Sequence, residues 1–229
     1  VWRKSDHWSG VEAVIQLHRL REVVALVGFT RFEAVMPDIN GEYDTDVETA
    51  DLALEPAWFP AVENRGEGVF IQLRADRIAE WLERPAVRER LADLAAGHQR
   101  WLDNRKVKGN SLFPGGPYIL LHTLSHLLIQ SLAMRCGYPA SSIRERVYSD
   151  PDRDRFGVLL YTGSPDAEGT LGGLVQQGRH MEAHLAHAVR VASLCSNDPI
   201  CAQHSPGKSM EGRWLHGAAC HGCSLIAET

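Results

Sequence analysis

The sequence predicts an α+β fold, a mixed sheet of short strands packed by several helices around a buried central helix. Three observations lead to that expectation. Phe156-Gly-Val-Leu-Leu-Tyr161-Thr162 is a continuous apolar run bounded by turn residues, and so a buried strand. The stretch from Tyr118 to Met134 is apolar on nearly every side, which places a helix inside the protein and not on its surface. Four of the five cysteines lie between Leu194 and Ser224, as Cys195-x5-Cys201 and Cys220-x2-Cys223. Two close pairs across a polar loop broken by Pro199, Pro206 and Gly207 suit one tetrahedral Zn²⁺ held by four thiolates at about 2.3 Å. The third observation adds a C-terminal four-cysteine zinc module to the expected fold. The five-residue arm is wide for a zinc ribbon, and two disulfides, an iron–sulfur cluster or free thiols are the alternatives. A closed four-thiolate site leaves no position for water, so the Zn²⁺ expected there is structural.

Taken in order, Val11, Val14, Ile15, Leu17 and His18 have helical spacing, and the β-branched run from Val23 to Phe29 reads as a strand ending near Gly28. Thr30-Arg31-Phe32 continues its edge. Met36 to Pro56 is acidic and turn-rich, a solvated excursion in which Asn40-Gly41 can close a hairpin. Val69 to Leu73 is a short strand. Ile78, Trp81 and Leu82, then Val87, Leu91, Leu94 and Trp101, recur at helical spacing with a break at Pro85. Pro114-Gly115-Gly116-Pro117 separates them from the central helix, which Gly137 caps. After the strand ending at Thr162, a Gly-rich turn leads into a helix, and a last helix carries Met181, Leu185, Ala188, Val189, Val191 and Leu194.

These elements divide into an N-terminal strand and helix part over 1–110, a central helix, strand and Gly-rich turn of the same domain over 111–194, and the zinc-binding part over 195–229. The chain opens on Val1 without a Met and stops soon after its last cysteine, which leads us to expect a fragment of a longer protein. No apolar leader opens it, and cysteines at metal spacing then point to a reducing, cytoplasmic setting. The composition is that of an ordinary globular protein, with 44% apolar and 23% charged residues. A net charge of −5 argues against a nucleic-acid footprint over the whole surface. A local strip remains a candidate DNA contact: Arg100, Trp101, Arg105, Lys106 and Lys108. The bland reading is an exposed helix end whose cations suit the C-terminal dipole.

Two further constellations bear on chemistry. His122 and His126 stand at i and i+4, as on a zincin helix, but Thr123 occupies the place of the general-base Glu. The preferred reading is therefore buried histidines bonded to neighbouring backbone or hydroxyl groups. The turn with Asp166, Glu168, Gly169, Thr170, Gly172 and Gly173 precedes a helix N-terminus, a natural anion or partner pocket. It lacks the phosphate-loop and dinucleotide fingerprints, and its small residues also suit close packing. His180, His184 and His187 read as a polar helix face.

Several segments share one resemblance: Leu20-Arg-Glu-Val23, Gly28-Phe-Thr-Arg31, His122-Thr-Leu-Ser-His126, Tyr161-Thr162 with Glu168-Gly-Thr-Leu-Gly-Gly173, and Cys195-Ser-Asn-Asp-Pro-Ile-Cys201 with Cys220-His-Gly-Cys223. Together they resemble the MrfA-like zinc-binding domain family that accompanies superfamily 2 helicases. The resemblance implies zinc ligation by Cys195, Cys201, Cys220 and Cys223 and assigns no catalysis to His122, His126 or Glu168. It also implies a noncatalytic partner of a DrmA-like helicase in the DISARM anti-phage defence, contributing to DNA engagement within a protein complex and not at a membrane. Two rival functions remain: a metal-dependent hydrolase or nuclease using His122, His126 and Glu168 or Asp166, and an independent DNA-binding module.

Overall fold

The structure, a computed structural model, describes residues 8–26, 28–29, 50–51, 57–105, 113–164 and 172–194. Among them β1 (Val11–Ala25), β2 (Gly28–Phe29), β3 (Ala50–Asp51), β4 (Ala61–Leu73), β5 (Ile143–Asp150) and β6 (Arg155–Ser164) are strands. The helices are α1 (Ala75–Leu82), α2 (Pro85–Arg105), α3 (Gly115–Cys136), α4 (Gly173–Gln177) and α5 (Met181–Val191).

One four-stranded sheet, ordered β1-β4-β6-β5, dominates. All its pairings are antiparallel, and β2 pairs with β3 as a small separate ribbon. The segment from Val11 to His18 is strand, not helix. Its apparent helical period has a local cause: the β1–β4 register shifts between Val11 and Ala13 and again between Leu17 and Leu20. The first shift puts Val11 and Val14, three apart, on the same buried face at 3% and 1% exposure.

α3 fills the middle of the core, with Leu121, Leu128 and Leu132 fully buried against Val69, Ile71, Val158 and Leu160 of the sheet. It ends at Gly137, whose φ of 72° is the left-handed cap conformation that a side chain resists. α5 packs along α3, burying Met181, Leu185 and Ala188. Pro85 occupies the first position of α2, where its missing N–H costs nothing. Gly116 lets the start of α3 close on Leu82 and Leu91, since a Cβ there would lie 2.8 and 2.6 Å from their methyls.

The expected fold is corrected on two counts. The sheet is antiparallel, not mixed, and its strands are long: 15, 13, 8 and 10 residues for β1, β4, β5 and β6. Short strands were expected because only the apolar runs were visible in sequence. Polar stretches such as Glu63-Asn64-Arg65 are strand because β1 pairs with them. Second, the metal-capable group that the described residues assemble is His122, His126 and Glu145, between α3 and β5, and not a C-terminal four-cysteine module. The sequence reading missed it because its carboxylate comes from a strand remote in sequence. The cysteines 195, 201, 220 and 223, the acidic excursion with Asn40-Gly41 and the continuation through Thr30-Arg31-Phe32 lie outside the described residues.

Alternation decides which residues meet the helices. On β4 the inward residues are Glu67, Val69, Ile71 and Leu73, on β6 Phe156, Val158 and Leu160, and on β5 Ile143, Glu145 and Val147. The opposite face carries Ile15, Phe70, Leu159, Tyr161, Arg144, Arg146 and Tyr148. Ile15 and Tyr148 remain 40% and 42% exposed there.

Candidate metal centre

Helical geometry puts His122 and His126 on one face of α3, and strand alternation turns Glu145 toward them from β5, at the edge of the sheet. One carboxylate oxygen serves both rings. Nε2 of His122 donates to Glu145 Oε1 at 2.8 Å, and Nε2 of His126 to the same oxygen at 3.2 Å. The two imidazoles stand edge to face with centroids 4.4 Å apart. Tyr118, one turn earlier, brings its ring centroid within 5.7 Å of His122.

The site is largely dry, with side-chain exposures of 13% for His122, 6% for His126 and 22% for Glu145. Burial pushes the Glu145 carboxyl up, but the bonds from the two imidazoles outweigh it and hold the group at about 2. Burial, helped by the Glu145 charge, pushes the Tyr118 hydroxyl up. His122 Nδ1 and Glu145 Oε2 are both buried without a hydrogen-bond partner among the described residues. Buried polar atoms are usually satisfied, so the unmet Glu145 Oε2, on the carboxylate that both rings share, marks a place where a further group belongs; His122 Nδ1 lies on the opposite edge of its ring.

A divalent ion fits this set. One donor atom from each residue lies within 4.8 Å of the other two, and tetrahedral zinc at about 2.1 Å would space its donors roughly 3.4 Å apart. Displacing the Nε2 protons would turn both imidazoles into ligands, with the carboxylate drawing back by a few tenths of an ångström to open the donor spacing. Two imidazoles and a carboxylate make a three-ligand set, the kind that leaves a position for water.

A carboxylate that the sequence reading did not expect meets Nε2 of both His122 and His126. The one signal for it was Ile143-Arg144-Glu145-Arg146-Val147, whose alternation turns Glu145 inward with Ile143 and Val147. The reading of His180, His184 and His187 as a polar face also changes, because His184 is fully buried. Ser131 Oγ donates to its Nδ1 at 2.9 Å and its Nε2 donates to Gln177 Oε1 at 3.0 Å.

The remaining candidates are only partly within view. Arg100 is exposed on α2, where Trp101 and Arg105 also lie, but the side chains of those two, like Lys106 and Lys108, are outside the described residues. Asp166, Glu168, Gly169 and Thr170 are likewise outside. Gly172 and Gly173 open α4, and the adjacent amide of Leu174 donates to the buried Glu67 Oε1 at 2.7 Å. Tyr138 donates to that oxygen at 3.4 Å, and a Cβ on Gly173 would lie 2.9 Å from the Tyr138 hydroxyl. Cys136 is a free thiol, pushed up to about 11 by burial and by Glu67. No described helix is long and apolar enough to cross a membrane.

The resemblance read from the motifs is met by comparison with known proteins. Residues 124–224 match the protein family described as the MrfA Zn-binding domain. The chain is 38% identical over 224 residues to the DISARM protein DrmB of Bacillus paralicheniformis. That alignment takes in 94% of this chain but 38% of the relative, so the chain spans well under half the relative's length.

Proposed function

Proceeding from its match to the MrfA Zn-binding domain and its likeness to DrmB, we propose that this chain is a metal-holding accessory part of a DISARM-type anti-phage assembly. The observation that carries the reading is the buried convergence of His122, His126 and Glu145 in a chain of that kinship. An ion there ties α3 to the edge strand β5 and fixes the surface offered to a partner. The partner we propose is a DrmA-like helicase, with DNA engaged by the complex in the cytoplasm and ATP hydrolysis left to the motor. Zn²⁺ is the ion we favour, because two imidazoles and a carboxylate suit it. Cys195, Cys201, Cys220 and Cys223 all fall within the matched span 124–224. We propose their thiolates as ligands of a separate structural Zn²⁺.

A second reading has a specific observation in its favour. Among the described residues the core set supplies three ligands, and such an open arrangement suits a metal-dependent hydrolase or nuclease better than it suits a closed staple. Glu145 then stands beside the two histidines in place of the Glu168 or Asp166 that the sequence reading offered for such an enzyme. What the bound ion would supply is a polarised water. The chain's own residues orient it, His122 and His126 from α3 and Glu145 from β5.

One experiment separates the readings. The purified chain, with its bound metal quantified, is tested for hydrolysis of single- and double-stranded DNA and for association with a DrmA-like helicase. The accessory reading expects association without hydrolysis, lost in His122→Ala/His126→Ala. Metal-dependent turnover abolished by the same substitutions would establish the hydrolytic reading instead.

A further inference from the structure

We propose that the sheet face turned away from the helices is a stacking platform for single-stranded nucleic acid, on which Phe70, Tyr148 and Tyr161 take bases and Arg146 a phosphate. It gives the proposed DNA engagement a surface, yet it stands on the sheet alone and needs neither the metal nor the helicase.

The geometry begins with glycines. Phe70 on β4 meets Tyr148 on β5 edge to face, with centroids 5.7 Å apart and planes at 79°, although β6 lies between those strands. The ring crosses β6 over Gly157, where a Cβ would sit 2.5 Å from Phe70 Cζ. Tyr161 crosses in the other direction. From β6 its hydroxyl reaches Glu22 Oε1 on β1 at 2.8 Å, spanning β4 at Gly68, its cross-strand partner. A ring that spans a neighbouring strand lies along the sheet and turns a π face outward. Glycine beneath the Phe70 ring is what permits this there, and at Gly68 a Cβ would lie 2.9 Å from Leu160 O and 3.0 Å from Tyr161 Cβ. Ile15 and Leu159 continue the apolar floor.

Charge on this face is nearly balanced, Glu12, Glu22 and Asp150 against Arg144, Arg146 and Arg153, so the attraction for a phosphate is local to Arg146. Its acids are engaged. Glu22 accepts from Tyr161, from Arg144 at 2.6 Å and from Asn64 at 3.2 Å. Glu12 accepts from Gln72 at 2.9 Å, and Asp150 from the amide of Arg153 at 3.2 Å. Arg146 has no carboxylate partner among the described residues, and its guanidinium carbon stands 5.8 Å from the centroid of the Tyr148 ring. A cation over an exposed aromatic, beside a second ring lying flat, is the chemistry that holds unpaired bases and their phosphates. Four-stranded antiparallel sheets with helices behind them present stacking aromatics to single-stranded RNA in the same manner. A duplex hides its base faces and gains nothing from flat rings.

The test measures fluorescence anisotropy of a labelled oligo-dT of about 12 nucleotides, within the usual span of such sites, against a duplex of equal length. It uses the whole chain at low salt. Single strands are expected to bind more tightly than the duplex. Tyr148→Ala, at a half-exposed position that leaves the core intact, is expected to weaken binding about 5- to 150-fold, the loss of one stacked base. Tyr148→Phe should restore it, and Arg146→Gln should lower the salt slope by about 0.7. Bound metal, quantified on the same samples, should be unchanged in Tyr148→Ala and Arg146→Gln, which separates this inference from the metal reading. Absence of binding, preference for the duplex, or equal affinity in Tyr148→Ala would overturn it. So would binding by this chain that is lost in the longer protein, since polypeptide would then cover the face.

Discussion

His184 makes the stability of the fold depend on pH in a calculable way. Fully buried between α3 and α4, it takes a hydrogen bond from Ser131 on Nδ1 and gives one to Gln177 from Nε2. Both nitrogens are committed with the ring neutral, and protonation of Nδ1 would expel the Ser131 proton. Burial, aided by Arg135, His180 and His187, pushes the imidazole down to about 4 from an ordinary 6.5. A histidine depressed in the folded state takes up its proton in the unfolded chain first. Stability is therefore intact above pH 6.5, falls as pH drops from 6.5 to 4, and levels below that. The drop of about 2.5 units corresponds to about 3 kcal/mol, a large share of the stability of a typical domain. The assay is urea unfolding at pH 7, 6, 5 and 4 for the wild type and for His184→Gln, which keeps an acceptor and a donor but does not titrate. Glu145 contributes a separate loss below about 4.5, common to both proteins, so it cancels in the difference. The wild type is expected to lose about 3 kcal/mol more than the variant between pH 7 and 4. Parallel curves would show that His184 is not the buried neutral base described.

Other substitutions test the framework separately. Glu67→Ala leaves the Leu174 amide without its buried acceptor and is expected to cost about 1–3 kcal/mol, read from the urea midpoint. Gly157→Ala drives a methyl into Phe70 and toward Ile71 O at 3.0 Å, with an expected loss of about 1–3 kcal/mol and a changed near-ultraviolet aromatic signal. Leu160→Ala, at a fully buried position on β6, should cost about 2–5 kcal/mol. A change under about 0.5 kcal/mol in any of these would contradict the packing described.

The parts legible in sequence were those with a strong local signature. The central helix, its Gly137 cap, the break at Pro85 and the β6 strand each follow from patterns within one element. β1 was misread because bulges imitate a helical period, and bulges are set by the partner strand. β5 was hidden because its outward residues are Arg144, Arg146 and Tyr148, leaving only a short apolar alternation. The candidate centre was half visible. His122 and His126 announce themselves at i and i+4, but their carboxylate comes from a strand 19 residues after His126, on the far side of a turn. The burial of His184 depends on Ser131, 53 residues away, which helical spacing alone does not disclose.

The most direct test of the metal centre is a difference in metal content. Zinc per chain is measured by elemental analysis after gel filtration, for the wild type and for His122→Ala/His126→Ala, with circular dichroism confirming that α3 persists. An ion held by these imidazoles and Glu145 requires the variant to carry one zinc fewer per chain. Equal zinc in two equally folded proteins would remove the ion from this site.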